Sequence, residues 1–93
     1  AFLRDQISLY RREAKLQHLL AKAYAAESKQ ALQHIALAEA YALEGALPAA
    51  LAQLEIARLD PDVKYYDLSV IDAREREWKE KRKEEMEEEK KGK

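Results

Sequence analysis

The scarcity of helix-breaking residues constrains this chain more than any other feature. Only 2 glycines and 2 prolines occur in 93 residues, whereas an all-β fold needs turn residues between most of its strands. Strong helix formers (Ala, Leu, Glu, Lys, Gln and Arg) make up most of the sequence. The sequence therefore predicts a single small all-α domain of about four helices.

Charge and composition exclude several classes of function. The 17 basic and 18 acidic residues give a net charge of -1, whereas a nucleic-acid surface needs clustered positive charge. No apolar run approaches the ~18 residues of a membrane span, because Glu39 and Glu44 interrupt the best candidate. The absence of cysteine excludes disulfides and thiolate metal sites. We expect no nucleic-acid partner and no membrane-spanning segment.

The first helical pattern covers residues 2–26. Its apolar positions start at Leu3, Ile7 and Tyr10 and then change phase around "LYRREAK", which predicts a bend or break near Tyr10. The following "ESKQ" resembles a turn, and Ser28 is the expected N-cap of the next helix.

The second helix is predicted from about Lys29 to Glu44. It is apolar on more than one face, so it should have neighbours on two sides. Gly45 should end it as a left-handed C-cap residue, and Pro48 fits the first turn of the third helix. The buried stripe expected on that helix consists of Leu47, Ala50, Leu51, Leu54 and Ala57.

The segment "LDPD" at residues 59–62 should stop the third helix, because Pro61 restricts the residue before it. The fourth helix is predicted to start near Asp62 and to pack through Tyr66, Val70, Ile71 and Trp78. We place the domain at residues 1–78 and a charged helical or frayed tail at residues 79–93. The tail carries 7 basic and 6 acidic residues; a solvated extension is the favoured interpretation, and an interaction arm the alternative.

Residues 37–57, "LAEAYALEGALPAALAQLEIA", place small residues and one tyrosine at helical spacing. Leu20, Ala21 and Tyr24 repeat the start of this pattern seventeen residues earlier. The spacing resembles the tetratricopeptide repeat, in which small residues let antiparallel helices approach closely. The pattern therefore favours a short antiparallel helical solenoid with a long C-terminal capping helix.

A closer resemblance covers the chain up to about Glu80. The segments "FLRDQISLY", "LLAKAYAAESKQALQHIALAEAYALEGALPAALAQLEIAR" and "YDLSVIDAREREWKE" resemble the C-terminal tetratricopeptide domain of periplasmic zinc metalloproteases of the β-barrel assembly-enhancing type. The family has a loop near the position of Tyr10. In that family an HExxH peptidase domain precedes the tetratricopeptide domain, and no HExxH occurs in this sequence.

The resemblance implies a docking domain without catalytic residues or cofactors of its own. Its expected partners are outer-membrane assembly machinery, misfolded barrel proteins or its own protease domain, and its expected location is the periplasm. The chain begins at Ala1 without a signal-peptide pattern, and we expect it to be a piece of a longer protein.

Few side chains suggest chemistry. His18 and His34 are the only histidines, and a zinc site needs three or four converging ligands, so we expect no metal site. Glu39 lies within an apolar helix face and must be paired or hydrated. The candidate partner is Lys22; the alternative is a groove-facing acid that contacts a ligand.

The tyrosines divide into two groups. Tyr24 and Tyr41 should pack between helices. Tyr65 and Tyr66 are adjacent at the start of a helix, so one of them should point away from the core and offer an anchor to a partner.

Two functions of different class follow from these features. The first is a non-catalytic protein-interaction module, and the alternative is an autonomous helical scaffold or oligomerisation domain, since exposed apolar surface favours self-association. An enzyme is disfavoured because no nucleophile, base and orienting group occur together. Recognition of chaperone C-termini through an asparagine-containing clamp is excluded, because the chain has no asparagine.

Overall fold

The computed structural model describes the backbone of residues 2–91 and the side chains of residue 9 and residues 11–90. Four helices occupy this range: α1 (Phe2–Ala26), α2 (Gln30–Leu43), α3 (Leu47–Arg58) and α4 (Tyr65–Lys91). No strand occurs in the described range. The all-α prediction is confirmed.

Helix α1 runs without interruption through the position where a break was predicted. The prediction near Tyr10 is therefore wrong. Arg11 and Arg12 follow that position, and both are strong helix formers that give the backbone no reason to leave the helix. The side chains of Leu3, Ile7 and Tyr10, which suggested the change of phase, lie outside the described residues.

The first two helices end in the same way. Ser28 (φ 60°) and Gly45 (φ 83°) both adopt the left-handed conformation. The N–H of the residue after each donates back across the last turn, from Lys29 to the carbonyl of Tyr24 and from Ala46 to that of Tyr41, at 2.9 and 2.8 Å. The N–H groups of Ser28 and Gly45 themselves donate to the carbonyls of Ala25 and Ala42, both at 3.1 Å. Together these bonds form the Schellman motif of helix C-termini.

The predicted role of Gly45 is confirmed, whereas that of Ser28 is wrong. Ser28 ends α1 as its left-handed residue, and Lys29 precedes α2 without a side-chain capping bond. The sequence pattern suggested a cap because serine is a common N-cap residue and only rarely adopts positive φ.

The connection between α3 and α4 is longer than predicted. Pro48 lies in the first turn of α3 as expected, but α4 begins at Tyr65 and not near Asp62. The carboxylate of Asp60 accepts a hydrogen bond from the N–H of Asp62 at 2.8 Å. This turn, closed by an aspartate side chain two residues back, holds the backbone out of the helical conformation.

Side-chain contacts show that consecutive helices are antiparallel. His18 near the middle of α1 reaches Glu44 just after α2, and His34 in α2 reaches Gln53 in α3. Arg58 at the end of α3 reaches Asp72 in α4. Because three residues connect α1 to α2 and three connect α2 to α3, helices that pack along each other in this way run in opposite directions.

Alanine supplies much of the buried surface, and on α2 it supplies all four buried residues. The buried core joins α2, α3 and α4 and consists of Ala38, Leu47, Ala50, Leu54, Ala57, Ile71 and Trp78. The predicted stripe of α3 is thus confirmed, with Leu51 only half-buried. Trp78 is 5% exposed, which confirms the prediction that it packs on the preceding helices.

The helices form an open arrangement. Helix α2 contacts α1, α3 and α4, which confirms that it has neighbours on more than one side. Among the described residues α1 contacts only α2, and α4 contacts α3 and α2. The radius of gyration is 14.7 Å, against about 12.3 Å for a compact domain of this length. The long faces of α1 and the end of α4 therefore remain available to solvent.

Candidate functional site

Helix α1 has two faces with different environments. Ala14 and Ala21 are buried, and Tyr24 is half-buried on the side that packs against α2. The opposite side, here called the leucine face, consists of Leu9, Leu16, Leu19 and Leu20. Each of these side chains is between 43% and 54% exposed. Scattered exposed leucines are ordinary, but Leu16, Leu19 and Leu20 are neighbours at i, i+3 and i+4 spacing and form an apolar cluster, which the exposed Arg12 separates from Leu9.

Charged side chains along the two edges of the leucine face differ in sign. Arg11, Lys15 and Lys22 lie along one edge at helical spacing, and all three are exposed. Glu13 lies along the other edge and is exposed as well, and Glu27, in the turn that follows α1, pairs with Lys29 at 3.0 Å. In an antiparallel pair of identical helices, like edges face each other, so the basic edges would repel.

His18 lies on the packed side of α1 and joins it to the end of α2. Its Nε2–H donates to a carboxylate oxygen of Glu44 at 2.7 Å, and its ring meets Tyr41 edge-on with centroids 6.0 Å apart. Tyr41 also packs against the core, and Tyr24 is half-buried. Both tyrosines thus lie at helix interfaces, as predicted.

His34 joins α2 to α3 by a hydrogen bond, as His18 joins α1 to the end of α2. Its Nδ1–H donates to the side-chain carbonyl of Gln53 at 2.7 Å in a partly buried position. Among the described residues no group of three or more histidine, aspartate or glutamate side chains is placed to hold a metal ion.

Glu39 forms a contact that the sequence did not predict. Its carboxylate accepts a hydrogen bond from Nε of Arg74 in α4 at 2.6 Å, and Arg74 also pairs with Glu77 at 2.9 Å. The predicted pairing of Glu39 with Lys22 is therefore wrong, because α4 crosses the Glu39 side of α2 and supplies the cation. Lys22 is exposed on α1 and takes part in no ion pair among the described residues.

A second group of ion pairs holds α4 against α3. Arg58 contacts Asp72 at 2.7 Å and Glu75 at 2.9 Å, and Lys79 contacts Glu75 at 3.0 Å. Hydrogen bonds to Asp72 and Glu75 raise the pKa of Arg58. Hydrogen bonds from Lys79 and then Arg58 lower the pKa of Glu75 below its ordinary value of 4.5. The pairs with Arg58 add to the packing of Ile71 and Trp78, which places α4 in the buried core.

Tyr65 and Tyr66 open α4, and both are exposed, at 87% and 76%. We expected one of them to pack, and Tyr66 to be that residue; this is wrong. Both residues lie in the first turn of α4, directly after the connection formed by residues 59–64. Tyr66 borders a cleft of about 590 Å³ whose other walls include Leu32 and Pro61. Tyr65 and Tyr66 are thus not brought together with Glu39 and Lys22 in one site.

The far end of α4 forms one wall of a groove that the sequence analysis missed. The groove, here called the basic groove, has a volume of about 550 Å³ between Leu51 of α3 and six residues of α4: Lys79, Arg82, Lys83, Met86, Glu87 and Lys90. It contains four cations and one carboxylate. Leu51 is half-buried and Met86 is 52% exposed, so these two side chains give the groove an apolar floor.

The opposite face of the same helical segment is acidic. Glu80, Glu84, Glu85, Glu88 and Glu89 lie there, with Lys81 as its one basic member, and all are exposed. Spacing in the sequence contained this information: Lys79, Arg82, Lys83, Met86 and Lys90 follow the i, i+3, i+4, i+7, i+11 pattern of one helix face. Single i, i+4 pairs do not reveal this separation, whereas the positions of all the charged residues around the helix do.

Comparison of the chain with models of known protein families, with curated proteins and with solved structures finds no match. None of the described helices contains an apolar stretch of the length needed to cross a bilayer.

Proposed function

We propose that this chain is a non-catalytic protein-interaction module. The observation that carries the proposal is the leucine face of α1, formed by Leu9, Leu16, Leu19 and Leu20, which packs against no other helix of the described chain. A cluster of apolar side chains in contact with water on one helix face is characteristic of a surface that binds another protein. Helix α2 anchors α1 along its other side, so the face is presented on a fixed support.

The charges beside the leucine face disfavour one arrangement with a second copy. An antiparallel pairing of two α1 helices would bring the edges with Arg11, Lys15 and Lys22 together, and the repulsion opposes that arrangement. A parallel pairing would place each basic edge opposite the edge with Glu13, so an oligomerisation scaffold is the alternative function, and the experiments below separate the two.

Site-specific crosslinking in the producing cells tests this proposal. A photoreactive residue replaces Leu16 in the leucine face, or Leu59, which is 77% exposed but lies outside it. We expect a discrete adduct with a different protein from the Leu16 position alone. An adduct with a second copy of the chain would favour the scaffold, and equal labelling from both positions would contradict the proposal.

A sedimentation series with purified protein is the second arm of the test. The module should remain a monomer at every protein concentration in the series. A tight dimer that Leu16→Glu dissociates and Leu59→Glu leaves intact would instead support the oligomerisation scaffold.

A finer proposal is that this module is the docking domain of a periplasmic zinc metalloprotease that acts in the quality control of outer-membrane proteins. It rests on the sequence resemblance described above, with outer-membrane assembly machinery, misfolded barrel proteins or the protease domain itself as partners. The test is the coding sequence around this chain. An HExxH peptidase domain in the same reading frame would support the proposal, and a different neighbouring domain would overturn it.

A further inference from the structure

We infer that the basic groove between α3 and the end of α4 binds a short acidic segment of a protein partner, with one bulky apolar side chain between its carboxylates. This inference deepens the proposed function and rests on it, but it concerns a surface separate from the leucine face. The groove includes the residues Leu51, Lys79, Arg82, Lys83, Met86, Glu87 and Lys90.

The residues that line the groove carry an excess of positive charge. The whole chain has a net charge of -1, yet four of the five charged residues lining the groove are cations. Among the described residues only Lys79 of these four is in an ion pair, with Glu75. Arg82, Lys83 and Lys90 are exposed and can bind carboxylates of another chain without giving up such a pair.

The groove also has an apolar floor. Leu51 and Met86 lie between the cations, and methionine adapts its shape to different apolar partners. An inorganic anion has no apolar surface that could pack against these two side chains. An acidic peptide with one large apolar residue would satisfy both the floor and its charged rim.

A short peptide fits the groove better than an extended polyanion does. The groove cations extend from Lys79 to Lys90, eleven positions apart in one helix, and the acidic face of the same segment, with five glutamates and one lysine, lies roughly 10 Å away across the helix. A nucleic acid presents charge over a far longer distance than that over which the groove offers cations. A short peptide can remain within the groove.

The dimensions set the length of the peptide. Lys79 and Lys90 are eleven positions apart in one helix, which corresponds to about 16 Å along its axis. An extended chain covers this distance in about five residues. The probe is therefore a fluorescein-labelled peptide of about eight residues, with glutamates and aspartates on either side of a central Leu-Phe pair.

Fluorescence anisotropy with the purified chain provides the measurement. We expect saturable binding that weakens severalfold when the salt concentration rises from about 50 to about 300 mM, since exposed charges are screened at higher salt. A peptide of the same sequence with lysine in place of every acidic residue should not bind. Absence of binding by the acidic peptide at low salt would overturn the inference.

Two matched variants locate the site. Lys83→Glu reverses a charge in the groove, and Lys81→Glu makes the same change two residues away on the opposite face. Lys83→Glu should weaken binding about tenfold or more, while Lys81→Glu should change it less than about twofold, because screening limits the effect of a distant charge. Equal losses would show attraction to net charge only and would contradict a groove. Circular dichroism verifies that both variants remain folded.

Other occupants have distinct outcomes. Binding of a single-stranded oligonucleotide in preference to the acidic peptide would replace the inference with a nucleic-acid surface. A dimer that Lys83→Glu dissociates would assign the groove to the acidic face of a second copy. Failure of the peptide experiment leaves the crosslinking result at Leu16 unaffected, so the two proposals can fail separately.

Discussion

The matched helix ends at Ser28 and Gly45 allow the cost of one backbone conformation to be measured twice in the same protein. Both residues are left-handed and both lie in a Schellman motif, but only one is a glycine. A non-glycine residue in this conformation costs roughly 1–2 kcal/mol. Glycine loses more conformational entropy on folding, which offsets about 0.5–1 kcal/mol of that benefit. Ser28→Gly should therefore stabilise the protein by about 0.5–1 kcal/mol.

The reverse change at the second position should have the opposite sign. Gly45→Ser is expected to destabilise by about the same 0.5–1 kcal/mol. Gly45→Val should cost ~1 kcal/mol or more, since a β-branched side chain tolerates positive φ poorly. No atom lies within 4 Å of the position that a Cβ at Gly45 would occupy. The expected cost is thus backbone strain and not a steric clash.

Urea unfolding followed by far-ultraviolet circular dichroism measures these differences. A change of about 1 kcal/mol corresponds to roughly 4–8 °C in Tm for a domain of this size, which is well above experimental error. The double variant Ser28→Gly with Gly45→Ser should return close to the wild-type stability if the two sites are independent. The reasoning is refuted if Ser28→Gly destabilises the protein, or if Gly45→Val leaves the melt unchanged.

Three further predictions concern other parts of the chain. Trp78→Ala should cost ~3 kcal/mol or more, whereas truncation after Glu80 should leave denaturant melts almost unchanged; greater damage from the truncation would mean that the tail packs against something. A ligand that binds only the native state must raise the Tm. We expect added zinc to leave the Tm unchanged, and a zinc-dependent rise that His34→Ala abolishes would contradict this. Glu75, whose pKa is lowered in the folded state by its two cationic neighbours, should stabilise the fold above pH 4.5 and lose this effect as the pH falls through its folded pKa. The stability difference between wild type and Glu75→Gln should therefore shrink as the pH falls below 4.5, and a difference that grows on acidification would exclude the assigned ion pairs.

Local signals in the sequence predicted the elements of this fold better than the contacts between them. Gly45 and Pro48 mark a helix end and a helix start, because each has a backbone preference that few other residues share. Ser28 has no such preference, and the sequence gives no sign that it adopts positive φ. The pairing of Glu39 with Arg74 could not be read from the sequence, since the two residues are 35 positions apart and several other cations could have met that carboxylate.

The same difference between local signals and contacts between helices applies to the candidate surfaces. Of the four exposed leucines on α1, Leu20 belongs to a pattern recognised in the sequence, but the sequence did not reveal which side of that helix α2 would cover. The segregation of charge after Trp78 was present in the spacing of the lysines and glutamates. It becomes visible only when α4 continues as a helix to Lys91.

The contact of α1 with α2 alone has a consequence for how the protein opens. Stability in such a row of helices depends on each neighbouring interface, and α1 has one interface whereas α2 has three. Backbone amides of α1 should therefore exchange with solvent through a local opening that leaves α2, α3 and α4 folded. A protein bound to the leucine face would slow that exchange along the whole of α1, so hydrogen exchange can detect the partner at a distance from the contact itself.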